Sequence, residues 1–190
     1  KKLIGSDSAL SFDICCQTIL GNSQVPLTMG ATFHGFDGMH FKFGRKKGFF
    51  NGQVVRPGQN GLTIELVEKI ALRYLNTPYL WGGRSSFGID CSGFTQMVFK
   101  FLNIKLKRDA YQQAEQGNAV TWLTEARKGD LAFFANDEGR INHVGIILDE
   151  ERIIHASGKV RIDKLDNYGI YHEESRNYSH KLKLIKRLTH

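Results

Sequence analysis

The stretch GIDCSGFTQMVFKF, Gly88 to Phe101, places one cysteine between an aspartate and an apolar stripe. Asp90 is a good helix N-cap, because its carboxylate can accept a backbone N–H of the first turn. Apolar residues then recur at helical spacing and predict the buried side of a helix: Phe94, Met97, Val98 and Phe101. Cys91 is therefore expected at a helix N-terminus, which favours negative charge. It is either an activated thiol or a small buried side chain.

Two histidines supply a base for such a thiol. In INHVGIILDEERIIHAS, residues 141–157, a turn near Asp149 separates two β-branched runs. A hairpin folded about Asp149 places His143 directly opposite His155, and a turn shifted by one residue leaves them diagonal neighbours. One imidazole would then accept the thiol proton while the second orients it. Purely structural histidines and a Cys/His/His metal site are the alternatives.

The sequence around these residues favours the thiol–imidazole interpretation over a metal site. It shows no acidic residues or ligand spacing that would support a metal, so we expect no metal and no cofactor. The remaining histidines have no comparable partners in the sequence and are expected to be surface or structural residues: His34, His40, His172, His180 and His190.

The chain divides by pattern into a β-rich part and an α+β part. Residues 1–56 contain short β-like segments punctuated by glycine, which predict a small antiparallel barrel. The Pro/Gly-rich segment 57–61 is the expected linker. In residues 62–190, LTIELVEKIALRYLN (62–76) predicts a helix with one apolar face: Ile64, Val67, Ala71, Tyr74 and Leu75. Pro78 should end this helix near Asn76.

Further along, the helix from Cys91 is followed by a possible third one in RDAYQQAEQG (108–117). Strand-like segments come next: DLAFFA, HVGIILD, RIIHAS, VRI and KLKLIKRL. Helices followed by an antiparallel sheet predict the α+β class. The alternating basic tail at 180–188 predicts an edge or surface strand.

Composition limits the other possibilities. The 190 residues are 41% hydrophobic and 24% charged, with a net charge of +7. No segment approaches the roughly 18 apolar residues of a membrane helix, and the first residues lack the apolar region of an intact signal peptide. A basic surface favours anionic partners, but without an arginine-rich tract we expect no nucleic acid. Cys15 and Cys16 are adjacent, and neighbouring cysteines rarely form a disulfide with each other without strain. Both should therefore be reduced, and at least one of them should lie in the core.

Four segments together resemble the NlpC family of bacterial cell-wall cysteine peptidases. They are TPYLWGGRSSFGIDCSGF (77–94), KGDLAFF (128–134), INHVGIIL (141–148) and IIHASGKVRI (153–162). The resemblance runs from about Leu62 to the C-terminus. The most similar variant carries a preceding bacterial SH3-like barrel, which residues 1–56 would match.

This resemblance implies a papain-like fold and hydrolysis of the γ-D-glutamyl–diamino acid bond of murein stem peptides. Cys91 matches the nucleophile, His143 the base and His155 the third polar residue. Tyr79 matches a tyrosine that lines the site and could help the Cys91 N–H to stabilise the oxyanion.

The resemblance also implies a substrate pocket. Members with a barrel typically require a free N-terminal L-alanine, and Asp90 matches an aspartate that anchors its ammonium. Ser92 and Trp81 match pocket positions.

Two departures from the family pattern concern this pocket. RDAYQQ has Ala110 and Tyr111 where the family often has a serine. Residues 1–56 contain no glutamate to assist the ammonium, so either Asp7, Asp13 or Asp37 replaces it or no residue does.

The expected partner is a peptidoglycan-derived peptide, and the expected state is a monomer without stable membrane insertion. The periplasm, cell envelope or exterior is the favoured compartment, with a cytoplasmic recycling role as the alternative. Two rival functions remain open: a peptide-binding module with little turnover, and an amidase or acyltransferase on the same fold.

Overall fold

The computed structural model describes residues 7–57 and 64–188. Residues 7–57 and 99–105 form one compact unit, and residues 64–98 and 106–188 form the other. Of the predicted linker 57–61, all but Pro57 lies outside the described residues, and the boundaries 1–56 and 62–190 stay predictions. Within the described ranges, no helix is long and apolar enough to cross a membrane.

The first unit is built of short antiparallel strands, as its sequence pattern predicts. The strands are β1 (Ala9–Ser11), β2 (Cys15–Leu20), β3 (Ser23–Thr28), β4 (Thr32–Phe33), β5 (His40–Phe43), β6 (Lys46–Phe49) and β7 (Val54–Val55). They form a three-stranded sheet in the order β4–β1–β7 and a four-stranded sheet in the order β3–β2–β6–β5. An apolar cluster fills this unit: Ala9, Phe33, Phe36, Phe41 and Phe50.

The two adjacent cysteines are both free, with Cys15 exposed. Cys16 packs against the apolar cluster but is only half-buried, so the expected core thiol is incompletely enclosed. The strand alternates faces, and one of two neighbours must therefore point outward.

The helices of the second unit begin with a 3₁₀ turn (Ile64–Leu66) that leads into α1 (Val67–Leu72). They continue with α2 (Cys91–Phe101), of which residues 91–98 belong to this unit, and α3 (Ala110–Gln113). The helix predicted over 62–76 is shorter than expected. Leu75, expected on its apolar face, is 40% exposed, because the helix has already ended and the chain turns. Asn76 has a φ of 66°, a left-handed conformation that asparagine tolerates.

The second unit continues with strands. They are β8 (Arg84–Ser85), β9 (Gly88–Ile89), β10 (Asn118–Val120), β11 (Leu131–Ala135), β12 (Ile141–Ile147), β13 (Arg152–Ser157), β14 (Lys159–Leu165), β15 (Gly169–His172) and β16 (Asn177–Arg187). A second 3₁₀ turn (Leu123–Glu125) separates β10 from β11. β8 and β9 pair with each other, and the others form an antiparallel sheet in the order β10–β16–β11–β12–β13–β14–β15. β15 also pairs with β16, so strands β11 to β16 close into a barrel.

Each of the six barrel strands contributes to one apolar cluster: Ala132, Phe134, Ile147, Ile153, Leu165, Ile170 and Ile185. The position of β16 corrects the prediction of an edge strand, because β16 has paired strands on both sides. Gly169 permits this closure, since a Cβ there would lie 1.8 Å from the carbonyl oxygen of His180. The strand β15, which begins at Gly169, was not predicted.

Candidate active site

A cavity of about 1000 Å³ opens beside the N-terminus of α2. Six of the seven predicted site residues line it: Tyr79, Trp81, Asp90, Cys91, Ser92 and His143. The seventh, His155, is buried and hydrogen-bonded to His143. The structure therefore brings the predicted residues together around one cavity.

The start of α2 follows the predicted capping arrangement. The carboxylate of Asp90 accepts the N–H of Gly93 at 2.6 Å, and its carbonyl oxygen accepts the N–H of Phe94 at 2.8 Å. The Asp90 carboxylate also accepts the N–H of Gly82 at 2.9 Å, and this hydrogen bond fixes the loop that precedes the helix. A Cβ on Gly93 would lie 2.4 Å from the carbonyl oxygen of Gly83, so the close approach of loop and helix requires glycine.

Cys91 is the first residue of α2 and is buried. Burial raises the pKa of its thiol to about 11, and the neighbouring charge of Asp90 acts in the same direction. Hydrogen bonds from the backbone N–H groups of Val144 and Ser92 favour the thiolate but do not outweigh burial. The helix N-terminus alone therefore does not ionise this thiol. Attack by Cys91 requires a base.

His143 and His155 are in contact, but not through the predicted register. β12 and β13 pair Gly145 with His155, so the hairpin is shifted by one residue and His143 lies diagonal to His155. The Nε2 atom of His143 is 2.9 Å from the Nδ1 atom of His155. The Nδ1 atom of His143 is left available for another partner. The hydrogen bond from the Val144 N–H to the sulfur places Cys91 beside the middle of β12, next to the residue that follows His143.

Both imidazoles are buried away from water. Burial holds the pKa of His143 well below its usual range, and the nearby His155 and His180 lower it further. Burial also lowers the pKa of His155, although its hydrogen bond to Asp163 opposes that effect. Both side chains are thus neutral at neutral pH, and a neutral imidazole can accept a proton.

Sequence reasoning missed a buried carboxylate behind His155. The Oδ2 atom of Asp163 is 2.9 Å from the Nε2 atom of His155. Arg161 donates to both carboxylate oxygens, at 2.6 and 2.8 Å. β13 and β14 pair His155 with Arg161, so Asp163 lies diagonal to His155 on the same face. The alternation of polar and apolar residues in KVRIDKL (159–165) predicts a strand, and this pattern could have placed Asp163 on the face of His155.

His180 corrects a second prediction, because it is not an unpartnered histidine. Its ring stacks on that of His143, with centroids 4.0 Å apart and an interplanar angle of 27°. It also lines the cavity. Burial lowers its pKa to about 4, and the neighbouring His155 contributes to that shift. The pairing of β16 with β11 brings His180 to the site from a distant part of the sequence, and no local sequence pattern predicts this position.

Arg108 is the third missed residue. Its Nη1 atom donates to Asp90 Oδ1 at 3.1 Å and to the Ser92 hydroxyl at 2.9 Å, while Nη2 donates to Asp90 Oδ2. Burial alone would raise the pKa of Asp90, but the hydrogen bonds from Arg108, Gly93 and Gly82 bring it below its usual value. The ion pair therefore keeps Asp90 ionised and balances its charge.

The aromatic residues of the cavity differ in exposure. Trp81 is 82% exposed and lines the cavity, so its side chain is not packed in the core. Burial raises the pKa of the Tyr79 hydroxyl, and the nearby Cys91 thiolate and Asp90 carboxylate act in the same direction, so the hydroxyl stays protonated. Ala110 and Tyr111 also line the cavity, where the sequence departs from the family pattern.

Metal ligation has one possible location among residues 7–57 and 64–188. Ring nitrogens of His143, His155 and His180 lie within 4.8 Å of one another. Cys91 is not part of this group, so it differs from the Cys/His/His site considered from sequence. The hydrogen bond of His143 to His155 and its stacking on His180 account for these side chains without an ion.

Comparison with known proteins gives a consistent set of relatives. The sequence profile of the NlpC/P60 family matches residues 76–177, a range that contains Cys91, His143 and His155. The γ-D-glutamyl-L-lysine dipeptidyl-peptidase of Bacillus subtilis (strain 168) is 41% identical over 100 residues, which cover 52% of this chain and 33% of that protein. The murein DD-endopeptidase MepS/murein LD-carboxypeptidase of Escherichia coli (strain K12) is 42% identical over 81 residues, 42% of each chain. This chain thus matches about a third of the length of the first and less than half of the second.

Solved structures resemble the fold. An NlpC/P60 family protein from Bacillus cereus ATCC 10987 is 24% identical with a TM-score of 0.76, and the match covers 96% of this chain and 64% of that one. The NlpC/p60 domain of the peptidoglycan hydrolase SagA is 30% identical with a TM-score of 0.50, and the match covers 54% of this chain and 90% of that one.

Proposed function

The chain belongs to the NlpC/P60 family, and on that basis we propose that it is a cysteine peptidase that hydrolyses peptidoglycan stem peptides. The proposed bond joins γ-D-glutamate to the diamino acid. The observation that carries the proposal is the buried Cys91 thiol, which accepts the backbone N–H of Val144 next to His143 on β12, while His143 is hydrogen-bonded to His155 on β13. The printed name of the Bacillus subtilis relative, a γ-D-glutamyl-L-lysine dipeptidyl-peptidase, supports this bond.

The proposed reaction begins from a neutral thiol and a neutral imidazole. Since the Nε2 atom of His143 faces His155, its Nδ1 atom takes the proton from Cys91. The sulfur attacks the γ-glutamyl carbonyl carbon, and the imidazolium of His143 then protonates the departing amine of the diamino acid. Cleavage of the C–N bond leaves a thioester. Water, deprotonated by His143, hydrolyses the thioester to a carboxylate and restores the thiol.

The proposed oxyanion site consists of the Cys91 backbone N–H and the Tyr79 hydroxyl. Both groups can donate hydrogen bonds, because burial keeps the Tyr79 hydroxyl protonated. Donors aimed at the developing negative charge stabilise the tetrahedral intermediate more strongly than the planar substrate.

The proposed substrate carries a free N-terminal L-alanine whose ammonium binds Asp90. The Asp90 carboxylate already accepts hydrogen bonds from Gly82, Gly93, Ser92 and both terminal nitrogens of Arg108. Such a group offers about four lone-pair positions, which these five donors already fill, so an ammonium must displace existing donors. The Ser92 hydroxyl makes the longest of these contacts, at 3.3 Å, and we assign it as the first donor to be displaced.

The fold supports two finer assignments that we also propose. The all-β unit of residues 7–57 is an SH3-like barrel, and the helices and closed sheet of the other unit have a papain-like arrangement. The Bacillus cereus structure covers nearly the whole chain, which supports a shared fold. A peptidase of murein peptides implies work in the cell envelope or exterior, and peptide recycling in the cytoplasm is the alternative.

Mass spectrometry of a defined peptide tests this function. Wild type is incubated with L-Ala-γ-D-Glu-diaminopimelate and its N-acetylated form, beside Cys91→Ala and the matched exposed-thiol control Cys15→Ala. We expect release of L-Ala-γ-D-Glu by wild type and Cys15→Ala, no release by Cys91→Ala, and a clear preference for the free amine.

The other outcomes separate the rival functions. Equal cleavage of both peptides would reject the Asp90 anchor and keep the peptidase. Binding without turnover would favour a peptide-binding module, and a product cut elsewhere would favour an amidase or acyltransferase. Full activity of Cys91→Ala would refute the proposed nucleophile.

A further inference from the structure

A buried carboxylate that the reaction above does not use lies behind the histidine pair. Asp163 is 8% exposed and contacts His155 on β13 and Arg161 on its own strand. We propose that Asp163 is a positioning residue that acts through His155 and fixes which nitrogen of His143 carries a proton. This inference rests on the proposed thiol chemistry and adds a fourth member to Cys91, His143 and His155.

The charge of Asp163 fixes the position of each proton along the chain of hydrogen bonds from Asp163 through His155 to His143. An ionised carboxylate can only accept, so the Nε2 atom of His155 must carry a hydrogen directed at Asp163. A neutral His155 then has a bare Nδ1 atom, which must accept. The hydrogen between the two imidazoles therefore belongs to the Nε2 atom of His143. A neutral His143 is left with a bare Nδ1 atom, the form that can take the thiol proton.

Without the carboxylate, the opposite arrangement satisfies the same contact. The Nδ1 atom of His155 would donate to the Nε2 atom of His143, and the hydrogen of His143 would move to its Nδ1 atom. That tautomer directs an N–H at the thiol and cannot act as its base. Asp163 removes this inactive arrangement because a carboxylate has no hydrogen to donate.

The surroundings of Asp163 keep it ionised for this task. Burial raises the pKa of its carboxyl, but the hydrogen bonds from His155 and Arg161 outweigh burial and bring the pKa to about 2. Arg161 holds both oxygens, which fixes the plane of the carboxylate. The other titratable groups near His155 are His143 on β12, His172 on β15 and His180 on β16.

The test compares Asp163→Asn with Arg161→Met. Asparagine keeps the size of the side chain but can donate to His155, so the inactive tautomer becomes available. We expect Asp163→Asn to lose at least about 100-fold in kcat with KM nearly unchanged, as loss of a tautomer-fixing carboxylate does in serine peptidases. Arg161→Met removes the same ion pair but keeps the carboxylate, and should lose less than about tenfold.

Nitrogen NMR of the histidine rings gives a readout that needs no substrate. In wild type at neutral pH, both His143 and His155 should be protonated at Nε2, and Asp163→Asn should show Nδ1-protonated rings. A folded Asp163→Asn with wild-type kcat and unchanged tautomers would overturn the proposal. Equal losses of kcat in both variants, with tautomers unchanged, would assign Asp163 a structural role. If wild type cleaves no murein peptide, the proposed function fails while the ring tautomers still decide the role of Asp163.

Discussion

Gly145 lies directly opposite His155 in the β12–β13 ladder, and its missing side chain leaves room for the Cβ of His155. A Cβ at residue 145 would lie 2.9 Å from the Cβ of His155 and 2.7 Å from the Cδ1 of Ile153. The Nε2 atom of His143, two residues earlier, is 2.9 Å from the Nδ1 atom of His155. The glycine of the H-V-G segment thus serves the contact between the two imidazoles.

We expect Gly145→Ala to lower activity and stability together. The added methyl must push His155 or Ile153 aside, and overpacking of this kind costs about 1–3 kcal/mol. Displacement of His155 breaks the hydrogen bond to His143, so kcat should fall at least about tenfold. Thermal unfolding and peptide hydrolysis of the purified variant measure the two effects.

The double variant Gly145→Ala/Ile153→Val separates the two causes. It removes the Cδ1 atom nearest to the new methyl but leaves two contacts at 2.9 Å, one with the His155 Cβ and one with the Cγ1 of residue 153. Part of the stability should return while activity stays low. Recovery of full activity by the double variant would show that the His155 contact is not the cause.

The local part of the site follows from the sequence. Asp90 caps α2 and Cys91 begins it because helix capping depends on residues within one turn. The hairpin was predicted to make His143 and His155 neighbours, but its turn is centred one residue later than Asp149, so the residue opposite His155 is Gly145 and His143 lies diagonal to it. The Asp149 side chain accepts the N–H groups of Glu151 and Arg152, which places the turn one residue later than expected.

The remainder of the site depends on long-range pairing. His180 reaches His143 only because β16 pairs with β11 and β15. The alternating pattern of the basic tail predicts a strand but does not predict its partner strands. Arg108 joins Asp90 across a loop that has no periodicity. Asp163 was within reach of sequence reasoning, since alternation in the strand after His155 places it on a known face.

We expect His180 to make the protein sensitive to acid. Its pKa in the folded protein is about 4, against an ordinary value of 6.5. As the pH falls below 6.5, the unfolded chain takes up a proton that the folded protein does not take up until about pH 4. Stability contributed by neutral His180 is therefore present above pH 6.5 and is lost as the pH falls to about 4.

Calorimetry of wild type and His180→Gln at several pH values between about 7.5 and 4 measures this effect. Glutamine does not titrate, so the Tm of His180→Gln should fall less steeply over this range. His180 also lowers the pKa of His143, so the difference between the two proteins includes this coupling as well as the titration of His180 itself. If the Tm of both proteins falls equally steeply with pH, the pKa of His180 is not lowered on folding.

The last prediction concerns the ion pair of Arg108 and Asp90. The Asp90 side chain is 6% exposed, so loss of its cation leaves a nearly buried charge without compensation. Because Arg108 itself is partly exposed, Arg108→Gln should cost about 2–4 kcal/mol, at or below the range for a fully buried pair. Asp90→Asn loses the same pairing but keeps an oxygen for the N–H of Gly93.

Urea unfolding of Arg108→Gln, Asp90→Asn and the double variant gives the coupling between the two side chains. The double variant should cost less than the sum of the single ones, by about 1–3 kcal/mol, because the uncompensated charge is then absent. Strictly additive costs would mean that the pair contributes nothing beyond its separate contacts. In that case the Asp90 charge would be free for the substrate ammonium, and Arg108→Gln would leave the preference for free-amine peptides unchanged.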